Sequence, residues 1–211
     1  MKKDWILVWG FLLFSVALSA QYQDATKEQK DEIVSKITTA ADGMNTLQGD
    51  FVQVKELSFM DENVTSEGRM YYKKPDKIRW EYTKPVQYVF SMDGKNIQTT
   101  SGDKTNKMPV KSSKMFSELS KVMVGGVSGS GLVDSPDFDS QFFVGKDDYK
   151  VVLTPKKKEI KELFSSVLIY VGKAENRIRS VEMIEKTGDK TTVTLKNVEV
   201  NGMVNDEIFS Q

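Results

Sequence analysis

The chain contains no cysteine and no histidine. That removes disulfides, thiolate nucleophiles, zinc sites built on Cys or His, imidazole bases and Ser-His-Asp triads. Any catalysis would have to run on carboxylates, Lys, Tyr or Arg. An excess of one charge is also missing, because Lys+Arg and Asp+Glu number 30 each. No global field then gathers nucleic acid or anionic lipid on the surface. Nor is there an apolar run of the about 20 residues that a membrane span requires. What is present is 39% hydrophobic residues in 211, enough for one ordinary domain with a packed core.

The longest apolar run lies at the N-terminus. Lys2 and Lys3 precede Trp5 to Leu18, and small Ser19 and Ala20 precede polar Gln21. This layout is that of a secretory signal over 1–20, cleaved after Ala20. No Cys follows it to accept a lipid, and an exported chain without Cys points to a bacterial periplasm.

From Thr26 to Leu47, Ile33, Ile37, Ala40, Ala41, Met44 and Leu47 recur at helical spacing, with Thr26 and Gln29 as a capping box and Gly49 as the stop. After Phe51 the period becomes two. Gly68-Met70-Tyr72, Ile78-Trp80-Tyr82 and Val86-Tyr88-Phe90-Met92 alternate with polar residues, separated by turns at Lys74-Pro75-Asp76 and Asp93-Gly94. Strands over 149–153, 165–171, 178–184 and 191–200 follow, with turns at Glu175-Asn176 and Gly188-Asp189. The pattern predicts about ten strands in one curling sheet. Between the two sets, Met115, Phe116, Leu119, Val122 and Met123 mark a helix over 112–124 that ends at Gly125-Gly126. The segment 125–131 lacks the Lys of a phosphate loop and reads as a connection.

The apolar face of that sheet is rich in Met and aromatic residues. Periodicity leaves two readings open, a packed core or a cavity whose adaptable Met residues suit an irregular apolar guest. The charged clusters offer less. Asp134, Asp137 and Asp139 lack the Gly and closing Glu of a calcium loop. Asp147-Asp148 and Lys156-Lys157-Lys158 read as solvated turns, and no two carboxylates stand out as a hydrolytic pair. The chain reads as a binding protein and not an enzyme.

The run Lys73 to Tyr82 (KKPDKIRWEY), Pro85 and Met92-Asp93-Gly94 resembles the periplasmic outer-membrane lipoprotein carrier family, LolA. So do Phe51-Val52-Gln53, Leu153-Thr154-Pro155 and the ending with Asn197, Asn201, Asp206 and Phe209. The resemblance implies a mainly β, α+β fold: an unclosed antiparallel half-barrel of about eleven strands with a helical lid, as one domain over 21–211. It implies a monomeric periplasmic chaperone of a Gram-negative bacterium, without cofactor, metal or nucleic acid. Such a chaperone takes acylated lipoproteins from an inner-membrane ABC transporter. It carries them to an outer-membrane receptor or to the outer membrane itself. The acyl chains would lie on Met70, Tyr72, Ile78, Trp80, Tyr82, Tyr88 and Phe90 of the sheet and on Met115, Phe116, Leu119 and Met123 of the lid helix. Lys74 stands where well-studied carriers have an Arg that bonds lid carbonyls, and it offers three donors without the planar fork. Ile78 replaces their inward Phe. An alternative is a module of the same shape that binds a pigment or lipid intermediate, or senses lipoproteins.

Overall fold

The computed structural model describes residues 21–129, 131, 133 and 135–210. The secretory signal expected over 1–20 lies outside the described residues. The described residues form twelve strands: β1 (Tyr22–Asp24), β2 (Thr46–Glu56), β3 (Val64–Lys73), β4 (Lys77–Lys84), β5 (Tyr88–Asp93), β6 (Asn96–Ser101), β7 (Lys104–Pro109), β8 (Phe138–Gly145), β9 (Asp148–Pro155), β10 (Phe164–Gly172), β11 (Arg177–Glu185) and β12 (Lys190–Val200). Among the described residues three α-helices accompany them, α1 (Lys27–Gly43), α2 (Lys114–Ser128) and the short α3 (Lys158–Lys161).

All the strands pair in one antiparallel sheet, in the order β1-β8-β9-β10-β11-β12-β2-β3-β4-β5-β6-β7. Its two ends, β1 and β7, do not meet, so the expected unclosed sheet is present, with twelve strands where alternation predicts about ten. Two of the extra strands are the sheet's edges. β7 reads Lys-Thr-Asn-Lys-Met-Pro and is almost wholly exposed, so it has no apolar face to alternate with. The seam between the two halves is the pairing of β12 with β2, in which Val193 faces Gln53 and Leu195 faces Phe51.

The capping box forms as expected: Thr26 Oγ1 accepts from Gln29 N, and the Gln29 side chain accepts from Thr26 N at 2.9 Å. Two helix ends differ from the sequence reading. α1 stops at Gly43, because Leu47, Gly49 and Phe51 already alternate along β2, where they pair with Tyr72, Met70 and Gly68. α2 runs straight through Gly125-Gly126 to Ser128. Two interior glycines cost a helix about 1 kcal/mol each, and burial of Val122, Val124 and Val127 outweighs that. The actual stop is Gly129, left-handed at φ +82, whose N–H bonds the Gly125 carbonyl; a Cβ there would lie 2.9 Å from Ile37 Cγ2.

α1 and α2 pack on the same face of the sheet. Ile33 and Ile37 of α1 and Val122 of α2 join Phe142, Val151, Leu153, Val167 and Ile169 in one core over β8 to β10. Val124 and Val127 of α2 join Leu47, Phe51, Met70, Tyr72, Ile78 and Met92 in a second core over β2 to β5. Met183 of β11 touches both. Between them lies the middle of the sheet, where the cores do not close on each other.

Candidate functional site: an apolar cavity under α2

The gap between the two cores is a cavity of about 390 Å³, within the range of small-ligand sites. Its floor is Val181 and Met183 of β11 with Thr191, Val193 and Leu195 of β12. One wall is Trp80 and Tyr82 of β4 with Tyr88 and Phe90 of β5; the roof is Leu119, Val122, Met123, Gly126 and Val127 of α2. Phe164 of β10 closes the far side. The lining is mostly apolar, so the centre of the site offers dispersion and hydrophobic contact to whatever enters.

Of the residues that sequence places at the site, Trp80, Tyr82, Tyr88, Phe90, Leu119 and Met123 come together around this cavity. Met70, Tyr72 and Ile78 share the same sheet face but are sealed in the second core, each at 1% exposure or less. The reason is position along the strand. Val124 and Val127 pack in the core with them, and Ser128 hydrogen-bonds the Tyr72 hydroxyl. Trp80 and Tyr82 lie further towards the β4–β5 turn, beyond that helical cover. Met115 is exposed on the first turn of α2 and is not part of the lining. Phe116 belongs to α2, but its side chain lies outside the described residues.

An aromatic trio stiffens the wall. Phe51 meets Trp80 edge-on at 4.7 Å between centroids and Tyr82 at 5.0 Å, a geometry worth about 1 kcal/mol per pair beyond burial. Polar groups gather at one end. Tyr82 Oη donates to Gln53 Oε1 at 3.0 Å, and burial followed by the neighbouring Tyr88 pushes the Tyr82 hydroxyl up, so it stays a donor. Glu185, paired with Lys55 at 3.4 Å, and Thr191 lie at the same end. Register places Gln53, Tyr82, Tyr88, Phe164, Glu185 and Thr191 near the ends of their strands, on one edge of the sheet. The cavity is therefore apolar at its centre and polar towards that edge.

Besides its apolar packing in the two cores, α2 is tied down over the cavity by an ionic cluster that sequence reading misses. Buried Glu118 accepts from Lys121 at 3.0 Å and from Lys157 at 3.1 Å, and Lys157 also reaches Asp137 at 2.8 Å. Lys114 pairs with Glu159 of α3 at 2.6 Å. Lys157 is thus no solvated turn residue, and Asp137 is occupied by it; Asp139 pairs with Lys156, and Asp134 lies outside the described residues. Burial alone would raise the Glu118 carboxyl, but the hydrogen bonds and charges of Lys121 and Lys157 outweigh it and hold it below the usual Glu value. A carboxyl with a lowered folded pKa stabilises the fold above its unfolded pKa, and that contribution is lost as pH falls through the folded value. Hydrogen exchange in α2 is accordingly expected to quicken below a pH of about 4.5. In Glu118→Gln, exchange in α2 should be faster at neutral pH and lose that acid step; an unchanged acid step would place the trigger elsewhere.

Lys74 sits in the β3–β4 turn. Its Nζ donates to the Asp42 carbonyl in the last turn of α1 at 3.1 Å, and its backbone N–H donates to the Asn45 carbonyl at 2.8 Å. Its partner helix is thus α1 and not α2.

Residues 42–211 match the family model described as outer membrane lipoprotein carrier protein LolA. An outer-membrane lipoprotein carrier protein of Chromohalobacter salexigens is 24% identical over 208 residues, spanning 98% of this chain and 91% of its own. One from Helicobacter hepaticus is 24% identical over 170 residues, 80% of this chain and 79% of its own. Among solved structures, an uncharacterized conserved protein from Thermus thermophilus superposes with a TM-score of 0.52 at 12% identity, covering 86% of this chain and 92% of its own. A DUF1329 family protein from Desulfovibrio piger gives 0.50 at 13% identity over 86% and 96%. These two likenesses are of fold.

Proposed function

The chain belongs to the LolA family of outer membrane lipoprotein carrier proteins, whose members are carriers and not enzymes, and from that premise we propose that its cavity shelters the acyl chains of lipoproteins in transit. The carrying observation is the unfilled apolar space between two packed cores, roofed by one helix. In this reading the protein works in the periplasm of a Gram-negative bacterium, loads from an inner-membrane ABC transporter and unloads at an outer-membrane receptor or the membrane itself.

Energetics favour partial shelter. Burying acyl chains is worth about 0.8 kcal/mol per CH₂, so three chains of roughly 14 CH₂ each give about 34 kcal/mol if fully enclosed. Non-covalent affinities end near about 18 to 21 kcal/mol, and a carrier must also let go. The open sheet and the movable roof on α2 answer that need: entry of cargo displaces α2, and its return over the floor helps expel the chains. The experiment is mass spectrometry of what co-purifies with the protein from its own cell envelope. N-terminally acylated peptides are expected; a pigment or a free lipid as the sole guest would replace this reading with that of a carrier for another apolar ligand.

Lys74 enters the proposal as a minor latch acting through α1, whose Ile33 and Ile37 share a core with Val122 of α2. A hydrogen bond from a charged group is worth about 1.5 to 3 kcal/mol, and an exposed, flexible Lys falls at the low end. Lys74→Leu is expected to retain capture and to slow transfer to acceptor membranes a few-fold, with Lys74→Arg equal to or faster than wild type. Equal transfer by all three proteins would make Lys74 an ordinary turn residue.

A further inference from the structure

The edge of the sheet towards which the cavity turns its polar end also carries exposed apolar side chains. The β2–β3 loop bears Phe59 at 77% exposure and Met60 at 45%, with Val64 beside them at the start of β3; the β4–β5 turn bears Val86 at 65%. Both loops lie on this edge by register, because Lys55 pairs with Val64 and Tyr82 with Tyr88. The β2–β3 hairpin also reaches further. Lys84 at the end of β4 pairs with Glu67, and β3 extends three residues beyond, about 10 Å of strand.

The Phe59 loop is held in place. Buried Asp189, in the β11–β12 turn, accepts from Ser58 N at 2.8 Å, and Met60 N donates to the Leu57 carbonyl at 3.0 Å. The backbone bond from Ser58 keeps the Asp189 carboxyl below the usual Asp range, so it accepts as a carboxylate. Phe59 follows this tether immediately and still faces water, and with Met60, Val64 and Val86 it makes a group of exposed apolar side chains on one edge where a single one would need no explanation.

We propose that the Phe59–Met60 loop and Val86 dip into the lipid–water interface of a bilayer and set the cavity's polar end against it, so that acyl chains pass between membrane and cavity without crossing open water. This rests on the acyl-carrier reading and names the surface that the same site meets. The occupant follows from the patch itself. A stable protein interface needs about 800 Å² of complementary surface per partner, and four side chains on two separate loops fall well short of it. A bilayer interface asks for no shape match, and a few apolar side chains give the weak, reversible binding that a shuttle needs. The strand charges on this edge are paired internally, Lys55 with Glu185, Lys84 with Glu67 and Lys190 with Glu56, and its turns add exposed Asp61, Glu62 and Lys186, so the edge carries no cationic excess. Apolar insertion and not attraction to anionic lipid should therefore set the affinity.

The test is co-sedimentation of the protein with vesicles of phosphatidylethanolamine, with and without phosphatidylglycerol. The double variant Phe59→Glu/Val86→Glu should partition about tenfold or more weaker, as expected for losing insertion of a large apolar side chain. Met203→Glu, altering a side chain 96% exposed beyond the opposite end of β12, should bind as wild type. Added salt and phosphatidylglycerol should change little. Wild type that ignores vesicles, a double variant that still binds, or an equal loss in Met203→Glu would each overturn the proposal. So would concentration-dependent dimers abolished by the double variant, which would assign the patch to a second copy. Uptake of a fluorescent acyl probe without vesicles separates the two levels. Wild type that takes the probe but ignores membranes refutes docking alone, whereas wild type that refuses the probe refutes the carrier reading and the docking with it.

Discussion

Leu119→Glu is expected to leave the protein folded and to abolish its capture of an acylated probe. Leu119 is half-buried on the roof of the cavity, outside both cores, so its replacement strains no packed layer. A carboxylate there must be desolvated by any alkyl chain that enters, at a cost of several kcal/mol, and each 1.4 kcal/mol is about tenfold in affinity. A loss of about a hundredfold or more should appear in probe titration. Met183→Glu puts the same charge on the opposite surface and should also lose capture, with some loss of stability because Met183 packs against both cores. Binding by both variants should recover as pH falls, because the introduced carboxyl can escape the penalty by taking up a proton. Full binding at neutral pH by a variant with wild-type thermal unfolding would show that cargo does not occupy this space.

The second large effect concerns stability. Gly68 of β3 lies where Phe51 and the backbone of β4 converge: a Cβ built on it would clash with the Glu81 carbonyl oxygen and lie 2.8 Å from Phe51 Cε1. The register shift between Glu67 and Gly68 lies at this point of the β3–β4 ladder. Gly68→Ala therefore forces apart two paired strands or displaces the ring that braces Trp80 and Tyr82. Overpacking of this kind, with backbone as the obstacle, costs about 3 kcal/mol, and the melting temperature should fall on the order of 10 °C. Gly43→Ala is the control. Nothing lies within 4 Å of a Cβ at Gly43, at the end of α1, so that change should be neutral or slightly stabilising. A Gly68→Ala protein as stable as wild type would mean that β3 and β4 are not held at this spacing.

Much of this arrangement is legible in the residues, and the failures have physical causes. Strands whose burial alternates between faces, such as β3 and β9, announce themselves by alternation, as does the start of α1 by its capping box. Leu47 follows Met44 at a helical interval, and three residues of local spacing cannot distinguish that from the first inward position of β2. β7 leaves no alternation because neither of its faces is buried. The aromatic face is visible in the sequence, but its division is not. Tyr72 and Trp80 look equivalent along their strands, and only the path of α2 decides that one is sealed and the other borders open space. Glu118 and Lys157 are 39 residues apart and become partners through the fold alone. The exposed Phe59 is visible as an aromatic residue in a turn that also holds Ser58, Asp61, Glu62 and Asn63, yet the tether of that turn to Asp189 spans 131 residues.

The seam between β2 and β12 has a further consequence in time. It joins residues 46–56 to residues 190–200, so the centre of the sheet cannot exist until nearly the whole chain is available. Before then β2 to β7 and β8 to β11 are two separate meanders, each exposing the half of the apolar face it owns. Pairing across such a separation is slow, because loop entropy is lost before the contact is made. A polypeptide whose sheet stays open until its last strand arrives acquires its greasy hollow only when its final strand pairs with its second.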